Sequence, residues 1–159
     1  MKKSSFFAVS SAIVAITLLS ISSAHATEGI GSDHRTGVMA KAMKDFKKQF
    51  RTVNDETWVA IPDGYLSSFS RDGVTNRIYY NKAGNWQFTV REAGEKLLSG
   101  SLKADLRSVY YDYAITCVHE IRSSGNIIYV VTVEDKKTVK EIKISGDREF
   151  EVIQDLVKE

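Results

Sequence analysis

The chain has one cysteine, Cys117, and a histidine follows two residues later in Ile115-Thr116-Cys117-Val118-His119. Residues two apart on a strand point to the same side, so this spacing permits a thiol–imidazole pair. A reactive thiol needs a cationic neighbour that lowers its pKa. Without one, Cys117 reads as a small buried apolar side chain. Of the other histidines, His25 belongs to the N-terminal segment and His34 adjoins Asp33 in a polar stretch. The histidines form no cysteine cluster and no H-x-x-x-H spacing, so no metal site and no cofactor are expected. The adjacent acids Asp55-Glu56 and Glu134-Asp135 fall in loops, where such pairs face water. G-x-S-x-G, P-loop and dinucleotide patterns are missing from the sequence, and with no convergent group set the chain reads as a non-enzyme.

Aromatic residues are the stronger lead. Trp58, Tyr65, Phe69, Tyr79, Tyr80, Trp86 and Phe88 crowd one stretch. Adjacent Tyr79 and Tyr80 cannot both face the core of a strand. Trp and Tyr dominate interface hot spots, so Trp58, Tyr65, Tyr79 and Trp86 are the candidate partner-binding residues. At the end of a second helical stretch, Tyr110 and Tyr113 share a face and Tyr111 points outward.

These residues need elements to position them. Val38, Ala42, Phe46 and Phe50 recur every four residues opposite Lys41, Lys44, Lys47 and Lys48, which predicts an amphipathic helix with a solvated lysine face. Trp58 to Ile61 reads as a strand ended by Pro62-Asp63-Gly64, where proline fixes φ and glycine supplies positive φ. Tyr65–Ser70, Thr75–Asn81 and Trp86–Val90 follow, separated by Asp72-Gly73 and Ala83-Gly84-Asn85. After Glu92-Ala93-Gly94-Glu95, Leu102, Leu106, Val109 and Tyr113 mark a second helix, capped by Ser99 or Ser101. Four more strands are expected at Ala114–Ile121, Ile127–Glu134, Thr138–Ile144 and Glu149–Ile153. Short connections make these strands antiparallel neighbours.

Residues 1–26 carry the marks of a secretory signal peptide. Lys2 and Lys3 precede the apolar run Phe6 to Ile21, and Ala24-His25-Ala26 offers a cleavage site after Ala26. The expected location is the periplasm or the medium, without stable membrane insertion. Removing 26 of 159 residues leaves 133, enough for one domain. Of 22 Lys and Arg, Lys2 and Lys3 leave with that segment, so 20 basic residues face 20 acidic ones. A neutral chain lacks the electrostatic footprint of a nucleic-acid binder.

The chain also repeats itself. Gly84-Asn85-Trp86-Gln87-Phe88-Thr89-Val90 returns as Gly146-Asp147-Arg148-Glu149-Phe150-Glu151-Val152, 62 positions later. The expected fold is α+β: two tandem helix-plus-four-stranded antiparallel meander repeats, with the helices on one sheet face. The expected segments are the signal peptide 1–26, a flexible lead-in 27–37, a first repeat 38–91 and a second repeat 97–159, in one domain overall.

Phe46/Phe50, Trp58, Tyr65/Phe69, Asp72-Gly73, Ile78-Tyr79-Tyr80-Asn81 and Gly84-Asn85-Trp86 together resemble the β-lactamase-inhibitor-like, PepSY-like family of small secreted bacterial proteins. The resemblance runs from Val38 to the C-terminus and implies a non-catalytic protein outside the cytoplasm. Named relatives inhibit or modulate secreted hydrolases, and the β-lactamase inhibitors carry cysteines that staple each repeat. Cys117 stands alone here, so loop preorganisation through disulfides is missing. The expected function is sequestration or occlusion of a protein or peptide of the cell envelope through the sheet face. A specific inhibitor of a secreted hydrolase (protease or β-lactamase) and a self-associating envelope protein, dimerising through sheet edges, are the alternatives.

Overall fold

The computed structural model describes residues 32–146 and 148–158, with side chains from Met39 onward. The expected signal peptide, its cleavage after Ala26 and the first half of the lead-in lie outside the described residues, as does Asp147 of the last turn. Helix α1 (Ser32–Gln49) leads into strands β1 (Thr57–Ile61), β2 (Gly64–Arg71), β3 (Val74–Asn81) and β4 (Trp86–Ala93). A short 3₁₀ turn at Glu95–Leu97 and helix α2 (Gly100–Val109) precede β5 (Ala114–Ser123), β6 (Asn126–Glu134), β7 (Thr138–Ile144) and β8 (Phe150–Val157).

Local chemistry explains most of these boundaries. In α1, Lys47 and Lys48 occupy the last turn, where cations suit the helix dipole. Ser99 caps α2, its hydroxyl accepting from the Leu102 N–H at 3.2 Å. Asp72 and Gly73 have φ of 53° and 66°, the double positive φ that a two-residue hairpin turn of type I′ requires. The side chain of Asn81 accepts from the backbone N–H of Ala83 and Asn85 at 2.9 and 3.0 Å and shapes the β3–β4 turn. Asp135 does the same for Lys137 and Thr138 between β6 and β7.

The eight strands form one antiparallel sheet in sequential order, β1 to β8. This overturns the expected pair of tandem helix-plus-four-strand repeats. Strand β4 hydrogen-bonds β5 over six residue pairs, from Phe88–Ser123 to Ala93–Val118. Joining them removes two edges whose N–H and C=O groups would otherwise lie unpaired. Core packing crosses the seam too, because Val74 of β3 belongs to the cluster formed around α2. The similar segments in the sequence take unlike places. Strand β4 lies between β3 and β5 and buries Thr89 and Val90, whereas β8 is an edge strand with Val152, Leu156 and Val157 exposed.

Strand register places both helices on the same sheet face. Ala42 and Phe46 of α1 pack on Tyr65, Phe69, Ile78 and Tyr80, with Phe50, Trp58 and Trp86 around them. Ring centroids of 4.9, 5.6 and 5.8 Å separate Phe46 from Phe50, Trp58 and Phe69. Leu102 and Leu106 of α2 pack on Val118, Val131, Val133, Ile142 and Ile144. In the register, Ile78 leads through Thr89 and Arg122 to the face of Val118. The alternate residues of the central strands, Tyr79, Phe88, Glu92 and His119 among them, lie on the other face.

Gly64 is the backbone position with least tolerance. Its φ is +152°, and a Cβ there would lie 1.9 Å from the Tyr80 carbonyl oxygen. Gly64→Ala is therefore expected to cost about 2 kcal/mol or more. Urea unfolding followed by tryptophan fluorescence measures it, and an unchanged midpoint would contradict this packing.

Candidate binding face

The β4–β5 seam gives the two sheet faces opposite chemistry. Toward the helices it sets Arg91 across from Glu120, and toward the other side it sets Glu92 across from His119. Alternation along each strand produces both pairs.

On the helix side, the Glu120 carboxylate is almost fully buried and receives four donors. Arg91 Nη1 and Arg122 Nε reach Oε1 at 2.9 and 2.6 Å. Arg122 Nη2 and the Tyr129 hydroxyl reach Oε2 at 3.2 and 3.3 Å. Burial pushes the Glu120 pKa up, but the hydrogen bonds and charges of Arg122 and Arg91 outweigh it and hold it below the usual carboxylate range. A cleft of 840 Å³ opens nearby, lined by Phe50, Phe69, Trp86, Arg91, Lys96 and Arg122. Its cations are already engaged. Arg71, also on its wall, donates to the hydroxyl and carbonyl of Thr52, and Lys96 donates to the Asp72 carbonyl.

On the other face, Tyr79 of β3 stacks on Phe88 of β4 with centroids 4.4 Å apart and planes 20° from parallel. Beside them, Arg77 Nη1 donates to Glu92 Oε2 at 2.6 Å. His119 Nε2 lies 3.5 Å from the same carboxylate oxygen. The Arg77 hydrogen bond, followed by its charge and that of His119, lowers the Glu92 pKa against an opposing push from burial. Cys117 Sγ lies 4.0 Å from both ring nitrogens of His119. Burial, then the charge of Glu92, raises the Cys117 pKa, and Glu141 adds to the rise. This thiol is therefore not the activated nucleophile that the Cys–His spacing alone would allow. Cys117 is half-buried and His119 is 9% exposed. Among the described residues, Glu92, Cys117 and His119 each offer a ligand atom, and those atoms lie within 4.8 Å of one another.

Of the four aromatic residues singled out from the sequence, three gather on the helix side and Tyr79 lies apart. Tyr65 is buried under α1, and Trp58 and Trp86 pack against the same cluster. Trp86 also lines the helix-side cleft, its indole N–H donating to the Thr89 hydroxyl at 3.0 Å. Tyr79 lies on the opposite face, stacked on Phe88, while neighbouring Tyr80 is 1% exposed in the core. Near α2, Tyr111 is exposed and Tyr110 meets Tyr113 edge-on at 5.8 Å. Sequence reasoning missed Glu92 and Arg77 as companions of Cys117 and His119. The alternation of β3 and β4 shows which of their residues share a face, but no sequence signal sets β4 against β5.

No protein-family model matches the chain, and no curated protein matches it in sequence. Solved structures do. A DUF2874 family protein from Bacteroides ovatus superposes with a TM-score of 0.60 at 16% identity, over 74% of this chain and 85% of that one. A Bacteroides eggerthii protein described as periplasmic gives 0.59 at 13%, over 74% and 86%. A BLIP-like protein from Bacteroides fragilis gives 0.55 at 18%, over 74% and 84%. These likenesses support a BLIP-like fold. The PepSY-like part of the expected resemblance finds no counterpart among them. Among the described residues, no helix is long and apolar enough to cross a membrane.

The buried carboxylate makes stability depend on pH. The folded-state pKa of Glu120 lies below the unfolded value of about 4.3, so the unfolded chain binds more protons in that window. The stabilisation is complete above about pH 4.3 and is lost as pH falls through the folded pKa. Glu120→Gln should cost about 1–3 kcal/mol at pH 7, and the gap to the parent should shrink at pH 3. Urea unfolding at both pH values checks this, and an equal gap at both would contradict it.

Proposed function

We propose that the protein is a non-catalytic binding module acting outside the cytoplasm, which occludes or sequesters a protein or peptide through the sheet face opposite its helices. The observation that carries this reading is the character of that face. Both helices pack on the other side, and this one presents the stacked Tyr79–Phe88 pair beside the Arg77–Glu92–His119 group. Aromatic rings and arginine on rigid central strands are the composition of an interface core. Tyr79 is the residue from the sequence reading that belongs to this surface, and Phe88 and Arg77 join it. Trp58, Tyr65 and Trp86 support the surface from the core side.

A BLIP-like neighbour and a neighbour described as periplasmic both favour a binder in the envelope. Inhibition of a secreted hydrolase is a narrower form of the same reading. Pairing of two copies along β8 is the other form, and the exposed Val152, Leu156 and Val157 on that edge strand favour it.

Affinity capture from an envelope extract of the native host tests the proposal. The baits are the parent, a Tyr79→Ala/Phe88→Ala variant and a Lys44→Glu control on the solvated side of α1. A specific partner retained by parent and control should weaken by about tenfold or more on the double variant, as expected for hot-spot removal. Equal retention on all three columns would overturn the reading. Recovery of the bait alone would overturn it in favour of self-association along β8.

A further inference from the structure

We propose that Glu92, Cys117 and His119 form a three-ligand site for a thiophilic divalent cation of the zinc class. The inference stands apart from the partner-binding reading and needs no partner to be tested.

Three features of the geometry carry it. First, the donor set is right in kind: one thiol, one imidazole and one carboxylate, the side chains that bind zinc. Second, the spacing is right in size. Zinc bonds of about 2.3 Å to sulfur and about 2.0–2.2 Å to nitrogen and oxygen, at tetrahedral angles, separate the donors by roughly 3.4–3.6 Å. The present separations are 4.0 Å from Sγ to the imidazole nitrogens and 3.5 Å from Nε2 to the carboxylate. All three donor atoms lie within 4.8 Å of one another, so side-chain adjustment draws the set inward around an ion. Third, the donors are held in advance. Glu92 and His119 are direct cross-strand partners on two central strands, and Cys117 follows on the same side of β5. Arg77 holds the carboxylate in place by donating to Oε2, the oxygen that also faces His119, and leaves Oε1 without that bond.

Electrostatics completes the case. Without a cation, burial and the negative charges of Glu92 and Glu141 raise the Cys117 pKa, against an opposing charge from Arg77. A divalent ion reverses that balance: the S–H proton leaves to solvent, a sulfur–metal bond forms, and thiolate plus carboxylate offset the two positive charges. Three protein ligands leave a fourth position for water or a donor from outside.

Cobalt titration of the purified full chain, kept reduced with a phosphine, is the test. Cys117 is the chain's one cysteine, so a thiolate-to-cobalt charge-transfer band in the near ultraviolet reports on this site alone. The parent should bind one equivalent with such a band, zinc should displace the cobalt, and zinc addition at pH 7 should release one proton per site. Cys117→Ser should abolish the band. His119→Gln and Glu92→Gln should each weaken cobalt binding by about tenfold or more. Far-ultraviolet circular dichroism establishes that each variant is folded, and proton release by the parent serves if one is not. A parent without the band or without proton release overturns the proposal. So does a cobalt affinity unchanged in both folded His119→Gln and Glu92→Gln, which would mark a lone thiol.

Discussion

The pairing of β4 with β5 is the constraint on which the rest of the structure depends. It joins strands separated in the chain by residues 94–113, and no tight turn imposes its register. A slip of one residue would send every β5 side chain to the wrong face. Val118 would leave the core beneath α2, Glu120 would lose Arg91, and His119 and Cys117 would turn toward the helices. The apolar cost and the ionic cost of such a slip act together. That agreement specifies one sheet of eight strands.

The same pairing sets a charge group on each face of the sheet. Beneath the helices, a carboxylate taken out of water costs several kcal/mol, and the four donors around Glu120 offset that cost. Such a group adds little net stability compared with an apolar replacement. Its effect is to penalise any arrangement that separates Glu120 from Arg91 and Arg122. On the opposite face Arg77 and Glu92 are about one third exposed, as Arg91 is on the helix side, while His119 is buried. One seam thus carries a charge network on each face, the outward one next to the Tyr79–Phe88 stack.

Local signals in the sequence were legible because their causes are local. Asp72-Gly73 and Pro62-Asp63-Gly64 mark turns through φ requirements that the residues carry themselves. The four-residue spacing of Ala42, Phe46 and Phe50 marks the face that α1 and the residue after it turn to the sheet. Helix α1 starts at Ser32, earlier than that stripe indicates. Tyr79 and Tyr80 show the limit of such reasoning. Alternation requires them to face opposite ways, yet only the packing of Ile78 and Tyr80 under α1 shows which is inward. The likeness of Gly84–Val90 to Gly146–Val152 reflected a shared turn-and-strand pattern, while the neighbours of each segment, which decide architecture, were invisible. For the same reason Cys117 and His119 could be paired from spacing and Glu92 could not.

Native-state hydrogen exchange of the amides in β4 and β5, read against those of β1 and β8, tests the continuous sheet most directly. With β4–β5 as a central seam, amides around Val90–Glu92 and Val118–Glu120 should fall in the slowest class and exchange only through global unfolding. Exchange of those amides at the rate of the edge strands, while β2–β3 and β6–β7 stay protected, would show two halves that merely touch. It would remove the basis for both charge groups at the seam.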